Sequence, residues 1–145
     1  MYEQLKSIMD QMHAAALQNL KVHGYLEKVL IAITEQGPII NNLQWTDDKS
    51  RAKVIKQCVN SVAQKKCNLY VMVGEATMTE ISPEGTKRSD CVLVSGKTRD
   101  GTVLAIMTPY TKENNNFQLG SSRWIDKKDQ LDSFAQTNMF KGIFR

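Results

Sequence analysis

Glu75 is the residue of this 145-residue chain best suited by its surroundings to act as an acid or base. It follows Gly74 in Val73-Gly74-Glu75-Ala76-Thr77-Met78, and a carboxylate beside a strand glycine suits proton transfer or cation binding. No histidine or second acid stands at short spacing, so the simpler expectation is an outward-facing strand residue. A second set comprises Arg88, Asp90, Lys97 and Arg99 with Asp100, which a turn and a hairpin would bring to one rim of a sheet. With Arg123 these cations could hold a nucleotide or other small anion, because guanidinium groups fork onto phosphate and carboxylate. Charged hairpin ends are equally an ordinary guard against edge-to-edge aggregation. A third set is the basic stretch 49–66, with Lys49, Arg51, Lys53, Lys56, Lys65 and Lys66. Residues 49, 53 and 56 share a helix face, which suits a nucleic-acid backbone. No helix-turn-helix spacing, zinc knuckle or aromatic RNA-binding pattern accompanies them, so nucleic acid ranks below a protein partner or a small anion.

The remaining reactive residues assemble nothing. Cys58, Cys67 and Cys91 are odd in number and widely spaced, which argues for reduced thiols rather than a disulfide framework. Cys58 falls on an apolar helix stripe, Cys67 is expected to end a helix, and Cys91 to begin a strand. No Cys-x-x-Cys occurs and no histidine has a cysteine nearby, so no metal or cofactor is expected. His13 and His23 are out of register for a metal pair on a helix. Pro83-Glu84-Gly85-Thr86-Lys87 holds a Gly-x-Lys but lacks the preceding glycine of a phosphate loop. Nucleophile-elbow, zinc-protease and calcium-loop patterns are missing too. No catalytic residue is assigned, and a binding protein is expected before an enzyme.

The elements that would carry these residues follow from periodicity. Leu5, Ile8, Met9, Met12, Ala16 and Leu20 recur at helical spacing, with Gly24 placed to close the helix. Val29 to Ile33 reads as a strand, turned at Gln36-Gly37-Pro38 into a weaker partner. Thr46, Asp47 and Asp48 offer caps to a central helix whose stripe is Ile55, Cys58, Val59, Val62 and Ala63, with Lys65 and Lys66 complementing its dipole. Alternation from Leu69 to Thr79 marks a strand in which Gly74 implies a bulge or a close backbone approach. Ser82-Pro83-Glu84-Gly85 is a turn, 90–98 and 102–108 are strands joined by Asp100-Gly101, and Pro109 ends the second. A polar loop at 113–116 and a strand over 117–125 precede a last helix, capped by Asp126 and burying Leu131, Phe134 and Ala135.

Hydrophobic residues make up 41% of the chain, and 19 basic residues against 15 acidic ones leave a net charge of +4. That balance permits anionic partners without demanding them. The apolar run Val29 to Ile33, which no other run exceeds, is far below the about 20 residues of a membrane span. The residues 1–10 lack a secretory apolar stretch, so a cytoplasmic protein is expected. A single α+β domain over 1–145 results: a mainly antiparallel sheet of about five to six strands, one face covered by an N-terminal, a central and a short C-terminal helix.

Val73-Gly74-Glu75-Ala76-Thr77-Met78, followed by Ser82-Pro83-Glu84-Gly85 and Arg88-Ser89-Asp90 before an apolar strand, resembles a group of small bacterial and phage proteins without an assigned activity. Those share a Glu-Ala-aromatic-Met strand, a Pro turn and an Arg-acidic pair; Thr77 departs from the aromatic. The resemblance implies a bacterial or phage setting and no mechanism. The tail Met139 to Arg145 is apolar for a chain end. Phe140, Ile143 and Phe144, with Trp45 and Trp124, therefore form a candidate interface, and the expected protein is a non-catalytic interaction protein that binds itself as a homo-oligomer or another protein.

Overall fold

The computed structural model describes residues 1–114 and 116–144, with Glu80 as backbone alone. Helix α1 (Tyr2–His23) buries Leu5, Met9, Met12, Ala16 and Leu20 along one stripe. Gly24 ends it at φ 75°, donating its N–H to the Leu20 carbonyl at 3.1 Å, the left-handed closure that glycine permits. Strands β1 (Val29–Thr34) and β2 (Gly37–Asn42) form the expected hairpin, with Pro38 on the edge strand. Helix α2 (Asp48–Ala63) starts at a capping box: Asp47 accepts from the Ser50 N–H at 2.7 Å, and the Ser50 hydroxyl accepts from the Asp47 N–H at 3.1 Å. Such a cap contributes about 1 kcal/mol. Lys65 and Lys66 lie beyond the helix end. Lys66 takes φ 56° and pairs with Glu35 at 3.3 Å, so it helps turn the chain instead of complementing the dipole.

Strand β3 (Cys67–Ser82) begins at Cys67, which therefore starts a strand and does not end a helix. It pairs with β4 (Gly85–Thr98) in unbroken register from Leu69↔Thr98 to Ser82↔Gly85. Strand β4 thus starts earlier than Asp90. Strand β5 (Val103–Glu113) runs straight through Pro109. The Pro109 carbonyl accepts from Gly120 N–H on the outer side. A residue's N–H and C=O share one side of a strand, so the missing N–H also faces outward and β4 loses nothing. The expected strand over 117–125 divides into β6 (Asn116–Leu119) and β7 (Arg123–Ile125), both paired to β5; Asn115 of the polar loop lies outside the described residues. Helix α3 (Lys128–Asp132) is one turn capped by Lys127 without a side-chain bond, so Asp126 is not its cap. A 3-10 turn (Ala135–Asn138) follows, burying Gln136 and Thr137 while Ala135 is exposed.

The fold is α+β, with seven antiparallel strands among the described residues, in the order β2-β1-β3-β4-β5-β6 with β7 beside β5. Helices cover both sheet faces, not one. Leu69, Val71, Val73, Val92, Val94 and Ile106 pack under α1. Leu30, Tyr70 and Met72 pack under α2 and the tail residues Phe140 and Ile143. Cys91, Leu93, Ala105, Met107 and Ile125 pack under Leu131 and Phe134. Central strands apolar on both sides need a cover on both.

Gly74 shows no register break, so the close approach holds and the bulge does not. The side chain of Gln136 lies over it, with Nε2 donating to the Met72 carbonyl at 3.1 Å, the Leu93 carbonyl at 3.1 Å and Ser95 Oγ at 2.8 Å. A Cβ at position 74 would collide with Gln136 Oε1. Gly74→Ala should therefore lower the urea midpoint in the wild type and much less in Gln136→Ala, a coupling of about 0.5–3 kcal/mol. Additive losses would show that this contact is not the reason for the glycine.

Candidate interaction site

The β3–β4 hairpin outreaches its neighbours. Strand β1 accompanies β3 only as far as Val29↔Val73, whereas β4 stays paired with β3 to Ser82. From Gly74 to Ser82 one side of β3 has no strand partner among the described residues. The Asn68 carbonyl accepts from Arg99 N–H on the β4 side. Alternation then turns even-numbered peptide groups of β3 toward β4 and those of Glu75, Thr77, Thr79 and Ile81 outward. Most native sheets protect such an edge.

A cleft of about 360 Å³ opens beside the first part of this edge, a volume within the range of binding sites. Met72, Gly74, Glu75, Ala76, Thr77 and Leu93 line it from the sheet, Phe134, Gln136 and Met139 from the C-terminal segment, and Lys28, Trp45 and Arg51 from the other side. Sequence and fold cooperate in that last group. Lys28 precedes β1, Trp45 ends the loop after β2, and Arg51 occupies the first turns of α2. Lys28 Nζ lies 4.6 Å from the Trp45 ring centroid and the Arg51 guanidinium 5.8 Å, cation–π contacts of about 0.5–1 kcal/mol each at partly exposed sites. Neither cation has an ion-pair partner among the described residues. Asp47 is committed to the α2 cap, whose hydrogen bonds from Ser50 hold its carboxyl below the usual range.

The residues expected to bind a ligand are scattered. Glu75 and Asp90 do come together on the α1 face around Tyr110: Glu75 pairs with Val92, and Asp90 with Tyr110. Burial first, then the charges of Glu75 and Asp90, push the Tyr110 hydroxyl up to about 12. Arg88 stands near the hairpin tip opposite Thr79. Lys97 lies about 30 Å from it along β4, at roughly 3.3 Å per residue, because the two turns occupy opposite ends of one long strand. The single charged rim is therefore corrected to two separate ends. Lys97 is half-buried beneath α3 and the tail, and burial lowers its pKa. Arg99 donates to the Cys67 carbonyl at 3.0 Å and the Phe144 carbonyl at 3.3 Å, fastening the tail. Arg123 donates to Met78 Sδ at 3.5 Å. Lys49, Lys53 and Lys56 form a solvated α2 face.

The expected interface divides in the same way. Phe140 and Ile143 are 3% and 1% exposed within their own chain, and Tyr70 meets Phe140 edge-on at 5.5 Å and Phe144 at 5.6 Å. The tail is thus core, with Arg145 outside the described residues. Trp124 is exposed on the α1 side, with Lys6 Nζ 5.0 Å from its ring. Trp45 borders the cleft beside the β3 edge, whereas Phe140, Ile143 and Phe144 line a separate one with Lys97. The three thiols are buried and free, and burial pushes Cys58 and Cys67 up to about 11, which suits packing and not nucleophilic attack. No group of three metal-ligating side chains occurs among the described residues.

One cluster had no sequence signal beyond His13 lying beside the apolar stripe. Thr108 Oγ1 is 2.7 Å from both His13 Nε2 and Ser122 Oγ, and Ser122 Oγ is 3.5 Å from His13 Nε2. Thr108 is fully buried, so the cluster ties α1 to β5 and to the loop before β7. Burial lowers the His13 pKa below its ordinary 6.5, opposed by the charge of Asp10.

Two outcomes are expected. Phe140→Ala should cost about 3–5 kcal/mol in chemical denaturation, the loss typical of a buried aromatic; a loss under 1 kcal/mol would place Phe140 outside the core. The folded chain binds fewer protons at His13 than the unfolded chain, so stability present above pH 6.5 is lost as pH falls through that value toward the lower folded pKa. Denaturation midpoints across that window should fall less in His13→Gln, and parallel curves would exclude His13 as the source. No protein-family model matches this sequence, and neither the curated proteins nor the solved structures give a significant match.

Proposed function

We propose that this protein is a non-catalytic interaction module that receives an extended segment of a partner as an added strand on β3. One observation carries the reading: β3 continues from Gly74 to Ser82 beyond its last pairing with β1 while β4 keeps it in strand form. A strand held open on one side supplies main-chain hydrogen bonds for affinity, and an adjoining pocket supplies side-chain selectivity. The cleft at Lys28, Trp45 and Arg51 adjoins the edge at the required place. The buried tail offers little apolar surface to a second copy, and a second copy could add its strand to this same edge.

Thr77→Pro tests the reading, because it removes an outward N–H and leaves the β4 side intact. Random peptides selected on the immobilised wild type should fail to bind the variant, while its thermal unfolding stays within a few degrees of the wild type, about what a 1 kcal/mol change produces. Equal binding to both proteins would sink the proposal. A dimer in light scattering that Thr77→Pro dissociates would assign the added strand to a second copy.

A further inference from the structure

We infer that the cleft captures the free C-terminal carboxylate of a partner chain, at the last residue of the strand added to β3; this rests on the strand-addition reading above. Direction is the first argument. Strand β1 runs antiparallel to β3 and starts at Val29, opposite Val73. A strand added antiparallel on the remaining edge runs the same way as β1, from the level of Ile81 down toward Glu75. Its C-terminal end then meets Lys28 and Val29 head-on. That position is filled, since the Lys28 carbonyl accepts from Leu43 N–H at 2.8 Å and Val29 holds the next place beside β3. An incoming chain must end there or leave the sheet.

Charge is the second argument. The end of such a strand lies against Lys28 and Arg51, which both line the cleft and contact the Trp45 ring, with no ion-pair partner among the described residues. Glu75 also lines the cleft, but strand alternation turns its carboxylate toward the other sheet face, where its charge acts on Tyr110, and it forms no ion pair with either cation. A carboxylate meets charge-assisted donors at this point. A parallel strand would bring an N-terminal ammonium to the same two cations, which disfavours that orientation. The third argument is the lining. A residue opposite Ala76 projects onto the cleft face, where Ala76, Leu93, Phe134 and Met139 stand beside Ser133 and Gln136, so an apolar side chain is assigned to the terminal residue.

The test displays random heptapeptides in two formats, one with a free C-terminus and one with the C-terminus fused to a carrier. Enrichment on the wild-type protein should occur in the free-end format, with apolar final residues. Enriched sequences, synthesised with a fluorescent N-terminal label, should bind about tenfold more tightly as the free acid than as the amide. That preference should vanish in the Lys28→Gln/Arg51→Gln double variant, whose unfolding midpoint reports that it still folds. Acid and amide binding equally, with Thr77→Pro still abolishing both, would overturn end capture and leave strand addition standing. Binding indifferent to Thr77→Pro, or no enrichment in either format, would overturn both.

Discussion

The constraint on which the structure depends is that its central strands are apolar on both faces. Leu69, Val71 and Val73 point one way from β3 and Tyr70 and Met72 the other; Val92, Leu93 and Val94 do the same on β4. Each such side chain gains about 1.5–3 kcal/mol only when covered. Helix α1 supplies one cover. The other is assembled from α2, α3, the 3-10 turn and the tail, none of which is long or apolar enough to do it alone. This explains why chain-end aromatics are core residues here: Phe140 and Ile143 complete a layer that α2 leaves unfinished.

Gln136 shows how the second layer is tied down. A polar residue is 6% exposed in an apolar layer because its amide nitrogen faces three acceptors on β3 and β4, and Gly74 leaves room for its head. The turn that carries Gln136 also forms one wall of the cleft. Packing of the tail and shape of the cleft are thus one problem. The Arg99 guanidinium, reaching the Cys67 and Phe144 carbonyls, holds the far end of the same segment.

Past Val73 the sheet loses β1 and β2 beside β3, and apolar packing thins out beyond Met78. Thr77, Thr79 and residues 81–88 are exposed, with Ile81 85% exposed, so β3–β4 pairing holds most of the hairpin arm, helped at its base by Met78, which packs against the core and meets Arg123. The open edge exists because β1 begins too late to follow it. Trp45, Lys28 and Arg51 gather where β1 begins, at the boundary between paired and unpaired edge.

Local rules settled much of this in advance. The 3.6-residue stripe of α1, its Gly24 stop, the Asp47 cap of α2, the alternation of β3 and the Asp100-Gly101 hairpin each depend on neighbours within a few positions, and each appears as expected. The short apolar tail and the strand through Pro109 did not follow, because their conformations answer to distant partners: Tyr70 for the tail, and the switch from β7 to β6 for Pro109. The charged residues were separable only in space. Nothing in spacing says that Arg88 and Lys97 stand at opposite ends of one strand, or that Lys28, Trp45 and Arg51 meet. Covalent proximity and periodicity determine elements, whereas an edge left open and a cleft beside it are properties of how elements of unequal length are laid side by side.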